Sequence, residues 1–476
     1  MDRNGMTKEA QSDHRRQLPS VSRLLETSAI KSLIESEGRP LILKAIREEL
    51  SRLRVQLPNG SDSYQISVEN IAASVAMNMR NRIDQSIKPV INATGIILHT
   101  GLGRAVLPKA AIENAVRIAT GHCNLEIMLE TGNRGDRQAH LQSLLSELTG
   151  AESAAVFNNN AAAVLIVMTA LGAGKEVIVS RGELVEIGGS FRLPDLIRTS
   201  GATLVEVGTT NRTRLTDYAN ALNDRTAIIL RCHPSNFRMI GFTEEATNTE
   251  LAEFCRQHGL ILVDDLGSGA LVDCSNTGLE PAVTVQQSLA SGADLVTFSG
   301  DKMLGGPQAG IVVGNRPLVS QLISHPLARA MRVDKITLAL LETVLQLYLN
   351  PERAGSEIPT LWRLGRPLAE LKRQAQRLVK LMKNELPDRY RLEIIASQSE
   401  VGGGSLPGQT IASVAVAISD DRGKIELLAQ KLRTGSPPVV GYIKEDRLWL
   451  DMRTVSGDEV TLLAEALRDA GANGEV

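Results

Sequence analysis

Short apolar runs punctuate the middle of the chain, set apart by longer amphipathic stretches. Ser153–Phe157, Glu176–Val179, Thr203–Val207, Ala227–Leu230, Leu260–Val263, Leu295–Phe298 and Gly310–Val313 each read as a strand. Runs of this length, rich in β-branched residues, suit strands buried on both faces. The stretches between them have helical periodicity, and such alternation predicts a mainly parallel sheet covered on both sides. Before this region, Ile42, Ile46, Leu50 and Leu53 fall on one face of a helix over Leu41–Arg54, with Arg47, Arg52 and Arg54 on the others. Val68–Ile83 reads as a second helix, and Pro58-Asn-Gly-Ser-Asp62 as the turn between them. After it, Ile336–Leu349 is a long apolar-striped helix. The end of the chain then reads β-α-β-β-α over Thr410–Ile418, Lys424–Leu432, Val439–Ile443, Arg447–Leu450 and Glu459–Leu467. The pattern divides the chain into a helical module (1–85), a large α/β domain (86–345) and a small α+β domain (346–476).

Composition narrows the field. The chain has 476 residues, 43% hydrophobic and 22% charged, with a net charge of −2. This is ordinary for a globular protein and gives no overall nucleic-acid signature. Aromatic residues are only 3%, too few for a base-stacking platform. Residues 1–60 carry a mild basic excess, eleven Lys/Arg against eight Asp/Glu, so contact with nucleic acid rests on local patches. Cys123, Cys232, Cys255 and Cys274 are widely spaced, and no paired histidines occur; a metal site is not expected. No apolar run is long enough to span a bilayer, and Met1–Pro19 is polar, so the cytoplasm is the expected compartment.

Three motifs carry chemistry. Phe298-Ser-Gly-Asp-Lys-Met-Leu-Gly-Gly-Pro-Gln-Ala-Gly310 places Lys302 between two strands in a glycine-rich turn, as a Schiff-base lysine requires. Ser299 sits three residues earlier, where a hydroxyl can meet a phosphate. The motif resembles the cofactor lysine of pyridoxal-phosphate enzymes of the aspartate-aminotransferase fold (fold type I). Leu260–Val263 ends in Asp264-Asp265-Leu-Gly-Ser-Gly269. A carboxylate at this strand end would keep a pyridine nitrogen protonated. Asp265 fits the turn pattern of such enzymes better, with Asp264 in reserve. Asn158, Asn159 and Asn160 lie between a strand and a helix, forming a phosphate cup at a helix N-terminus.

Further motifs resemble bacterial selenocysteine synthase, the L-seryl-tRNA(Sec) selenium transferase family: Ile91-Asn-Ala-Thr-Gly-Ile-Ile-Leu-His-Thr-Gly-Leu-Gly-Arg104, Glu186–Arg192, Gly208–Thr213, His233-Pro-Ser-Asn-Phe237, Ser299–Lys302 and His325-Pro-Leu-Ala-Arg-Ala-Met-Arg332. The resemblance runs from about residue 15 to the end of the chain. It implies conversion of seryl-tRNA(Sec) to selenocysteinyl-tRNA(Sec) with pyridoxal 5'-phosphate as cofactor and selenophosphate as donor. The route is β-elimination of water, then addition of selenium to the β-carbon. It further implies Lys302 as Schiff-base lysine, Asp301 as a neighbouring active-site acid, Arg104, Arg329 and Arg332 on the donor, and a tRNA-gripping N-terminal module. A ring-shaped homodecamer with active sites at dimer interfaces is also implied. Arg329 and Arg332, three apart, are expected on one helix face beside Arg104 as an oxyanion clamp. His233 and Asn236 close a strand end, within reach of the cofactor's phenolic oxygen or the substrate. The general acid for water elimination stays open between Asp301 and a histidine such as His99. Two rivals share these motifs: a pyridoxal-phosphate lyase acting on an amino-sugar phosphate, and an inactive RNA-binding homologue.

Overall fold

The computed structural model describes residues 18–56, 67–83, 85–189, 191–234 and 236–472. They form two compact units, divided after Pro89. The first holds four helices, Val21–Leu25, Ser28–Glu37, Arg39–Gln56 and Val68–Ile83. Ile42, Ile46, Leu50 and Leu53, the predicted stripe, are buried against Leu24, Ile30, Ile71, Val75 and Met79. One acid joins this core. Glu49 is buried and accepts hydrogen bonds from Arg52 (2.6 Å), Ser74 (2.7 Å) and Asn78 (3.3 Å), so its charge is satisfied and ties two helices together. The predicted turn Pro58–Asp62 lies outside the described residues.

The second unit is built on a seven-stranded sheet. Its strands are β1 (Ser153–Phe157), β2 (Glu176–Ser180), β3 (Thr203–Val207), β4 (Thr226–Cys232), β5 (Ile261–Gly267), β6 (Leu295–Ser299) and β7 (Gly310–Gly314), in the order β1-β7-β6-β5-β4-β2-β3. All seven predicted runs are strands. β7 alone runs against its neighbours. A parallel return needs a crossover of about a dozen residues or more, and the turn between β6 and β7, which holds Lys302, is shorter. β1, β4, β5 and β6 therefore end at one edge of the sheet, where open α/β sheets bind ligands. β3, at the sheet's rim, is half exposed, with Thr203 and Glu206 facing out.

The last part of this unit, 346–476, departs from the reading in two places. Its strand over 410–418 is part of a long hairpin, β8 (Tyr390–Gly402) with β9 (Ser405–Asp420), and β8 went unpredicted. The run over 439–443 is two strands. Val439–Val440 pairs with Ile91–Asn92, while Tyr442–Lys444 joins β9 through Arg447–Asp451. Ile91 and Ala93 thereby enter a separate apolar core of this unit beside Leu371, Leu428, Leu450 and Leu467. Lys335–Tyr348 is the predicted long apolar-striped helix.

Candidate active site

Pleat and register assemble the site. Asp265 on β5 is level with Cys232 on β4 and Thr297 on β6, so the three side chains share one face of the sheet. Alternation turns Asp264 to the other face, level with Arg231. Of the two aspartates, only Asp265 lines the cleft of about 290 Å³ that also holds Lys302, Asn159, Asn160, His233, Ser299, Asp301 and Arg104. The reserve assignment of Asp264 to a pyridine nitrogen is thereby corrected. Asp264 is buried on the opposite face, where Asn248 (2.7 Å) and Ser288 donate to its Oδ2.

Asp265 is held asymmetrically. Its Oδ1 accepts from Asn160 Nδ2 (2.7 Å), Thr297 Oγ1 (2.9 Å) and the Gly267 amide (3.2 Å). Among the described residues its Oδ2 meets only the Cys232 thiol, at 3.8 Å, a weak donor. One oxygen is saturated and the other is left for a cationic N–H. Burial raises the Asp265 pKa, against the pull of Asn160, Thr297 and Lys302. Burial also pushes the Cys232 thiol well up, with Asp265 adding to the effect.

Lys302 is 6% exposed, and its amine takes part in no hydrogen bond or ion pair among the described residues. Burial lowers its pKa, opposed by Asp265 and Asp301 and assisted by Arg104. Its turn is pinned at the neck by Gly300 N–H to Ala309 O (2.8 Å) and Gly306 N–H to Gly300 O (2.8 Å), and Met303 N–H reaches back to Ser268 O (3.0 Å). Arg104, at a left-handed φ of 60°, bonds Asp301 Oδ2 at 2.7 Å.

The asparagine cup is narrower than expected. Asn159 caps the helix Asn160–Gly172, its Oδ1 accepting from Ala162 N–H at 2.9 Å. That leaves the amides of Asn160 and Ala161, the first two of the helix, for an anion. Gly310 makes the turn possible: a Cβ there would lie 2.0 Å from Asn159 O. Asn160 belongs to the helix and serves Asp265. Asn158 is exposed, and its amide bonds Met331 O (2.9 Å); it is not part of the cleft lining. Neither is Asn236, whose amide donates to Glu186 O (2.8 Å). Arg329 and Arg332 do not share a helix, because the segment Pro326–Ala330 ends before Arg332. Both are exposed and neither lines the cleft of this chain; Arg332 comes 3.9 Å from Glu126. Thr297 and Cys232 escaped the sequence reading. The signal for Thr297 was a hydroxyl in an otherwise apolar strand, two positions before Ser299.

The residues fit a pyridoxal-phosphate cofactor. A buried amine without a hydrogen bond, a half-satisfied buried carboxylate and a helix N-terminus lined up at one sheet edge are the three contacts that group needs. Fold and site together define an aspartate-aminotransferase-like (fold type I) pyridoxal-phosphate enzyme. The structure of a D-glucosaminate-6-phosphate ammonia-lyase superposes with a TM-score of 0.56 at 20% identity, covering 83% of this chain and 98% of that one. Residues 90–456 match the family model described as L-seryl-tRNA selenium transferase, and residues 15–54 that of the selenocysteine synthase N terminus. The chain belongs to the L-seryl-tRNA selenium transferase family. It is 46% identical to the L-seryl-tRNA(Sec) selenium transferase of Moorella thermoacetica over 96% of each chain. It is 44% identical to that of Rhizobium meliloti (strain 1021), over 96% of this chain and 98% of the relative.

Proposed function

We propose that this protein converts L-seryl-tRNA(Sec) to L-selenocysteinyl-tRNA(Sec), with pyridoxal 5'-phosphate as cofactor and selenophosphate as selenium donor. The observation that carries the reading is Lys302, buried without a hydrogen bond opposite Asp265, in a chain that matches its family nearly end to end. When bound, the cofactor supplies an electron sink that acidifies the seryl Cα–H. Lys302 is the base for that proton, and burial, by lowering its pKa, works in favour of the neutral amine. Asp265 Oδ2 holds the proton of the ring nitrogen, and Thr297 and Asn160 hold Asp265. The amides of Asn160 and Ala161, with Ser299, hold the cofactor's phosphate. Arg104, fixed by Asp301, faces the donor.

Arg329 and Arg332, exposed and away from this cleft, act in the cleft of a second copy, in keeping with a homo-oligomer of dimers, a decamer by family resemblance. The N-terminal helical unit grips the tRNA. No helix among the described residues is long and apolar enough to cross a membrane, and we place the protein in the cytoplasm. An amino-sugar-phosphate lyase would share the fold, but the match of residues 15–54 to the synthase N terminus favours tRNA.

The test is incubation with seryl-tRNA(Sec) and selenophosphate, followed by identification of the esterified amino acid. Selenocysteine is expected; unchanged serine overturns the reading.

A further inference from the structure

The elimination needs an acid at the seryl oxygen, because hydroxide is a poor leaving group. Asp301 is spent on Arg104, at 2.7 Å. His99 does not line the cleft, and its Nδ1 is buried without a hydrogen-bond partner among the described residues. His233 is placed differently. It follows β4 directly, and its backbone N–H is fixed to Asp265 O (3.1 Å). The residue lines both the Lys302 cleft and an adjoining cavity of about 420 Å³, bounded by Arg212, Phe237, Arg238 and Pro407.

The buried ring nitrogen, Nε2, lies 3.2 Å from Asp264 Oδ1, close enough for an ion pair but out of line for a hydrogen bond. The ring keeps 30% of its surface open. Asp264 is itself clamped by Asn248 and Ser288. This is a carboxylate–imidazole dyad with a rigid carboxylate, on a residue that lines both cavities and is partly open.

We propose that His233, positioned by Asp264, is the acid that protonates the seryl hydroxyl as its Cβ–O bond breaks. The proton passes from the imidazolium to the oxygen, and the Cβ–O electron pair leaves with it as water. The electron pair left on Cα when Lys302 takes the α-proton forms the Cα–Cβ double bond. Solvent then returns a proton to His233. The charges facing the ring support a protonated imidazole. Burial opposes its charge, the Asp264 carboxylate outweighs that, Arg231 works against it and Glu183 for it. Across the cleft stand Asp265, Lys302, Asp301 and Arg104.

The inference rests on the transferase reading, and the test separates the two. Holoenzyme carrying His233→Gln is compared with wild type on seryl-tRNA(Sec) and on β-chloroalanyl-tRNA(Sec), whose chloride leaves without a proton. The variant is expected to keep its visible cofactor band, to lose about 10²-fold or more in rate on the seryl substrate, and to stay near wild type on the chloro substrate. Equal slowing on both overturns the acid role. Wild-type protein inert on seryl-tRNA(Sec) but active on the chloro substrate overturns the transferase reading, and this step with it.

A second variant, Asp264→Asn, should move the alkaline limb of the kcat profile to lower pH, since the acid must be protonated. In the cofactor-free protein, diethylpyrocarbonate modification of the His233 peptide, followed by mass spectrometry, should shift to lower pH by the same direction and amount. An unmoved profile in both measurements removes Asp264 from the mechanism, and the dyad with it.

Discussion

At the scale of single residues, the site is a lesson in what one step along a strand does. Asp264 and Asp265 are chemically identical neighbours, yet alternation sends one to a clamp of Asn248, Ser288 and His233 and the other to Lys302. Thr297 decides how Asp265 presents itself. Thr297→Val should leave Oδ1 short of a donor, destabilise the protein by about 1–3 kcal/mol, and weaken cofactor retention, measured by dialysis against the visible band; unchanged retention would assign Thr297 to packing alone. Lys302 works the other way. The residue is 6% exposed and its amine makes no hydrogen bond among the described residues, a cost the cofactor-free fold carries for function. Lys302→Met should abolish the borohydride-sensitive visible band and raise the cofactor-free Tm by about 2 °C or more; a lower Tm would mean the amine is better solvated than its burial implies. His233 sets a pH dependence. Its folded pKa lies above the ordinary imidazole value, so its contribution to stability is full below about pH 6.5 and is lost as the pH rises through the folded value. Cofactor-free wild type should therefore lose Tm relative to His233→Gln across that rise, which thermal melts at stepped pH will measure.

Elements bring these residues together through close approaches of backbone. The turn after β1 lies so close to β7 that a Cβ on Gly310 would meet Asn159 O at 2.0 Å. Gly310→Ala should displace the helix Asn160–Gly172, and with it both the phosphate amides and the Asn160 bond to Asp265. A loss of at least about 2 kcal/mol in stability and of most cofactor affinity is expected, measured by denaturant titration and by the visible band; retained affinity would show that the turn can move without the site. Gly269, at φ 73°, makes a similar approach to Phe298 and Ser299 O, both 2.8 Å from its would-be Cβ. Towards the end of the chain, Arg453 shows an element-level role for a charged residue. Its guanidinium donates to the carbonyls of Arg363 (2.9 Å), Leu364 (3.1 Å), Arg366 (3.3 Å) and Ala412 (2.5 Å), stitching a helix end to the β8–β9 hairpin. β8 itself was hard to read because its alternation of exposed and covered positions slips by one residue at Ile394–Ile395, and two of its buried positions, Ser397 and Ser399, are polar and donate to Asp451, so it lacks the continuous apolar alternation that announces a half-buried strand.

Over the whole molecule, the two compact units allow separate perturbation. Ile46→Ala, in the first unit's core, should cost about 2–5 kcal/mol and weaken tRNA(Sec) capture while the visible band is kept; loss of the band would show that the units fold as one. Deleting residues 1–80 should have the same signature, with nitrocellulose filter binding as the readout for tRNA. The linear pattern already held all seven strands of the large sheet, the helices around Ile46 and Ile71, and Lys302, Ser299, Asn159 and Asn160, because buried strands, amphipathic helices and glycine turns are local properties of the chain; Asp301 and Arg104 were singled out only by the family resemblance. It could not choose between Asp264 and Asp265, or find Thr297 and Cys232, or see that Arg332 lies outside its helix. Those depend on which strands are neighbours, in what register, and which face each residue turns to. Such relations link positions tens to hundreds of residues apart and exist only once the chain has folded.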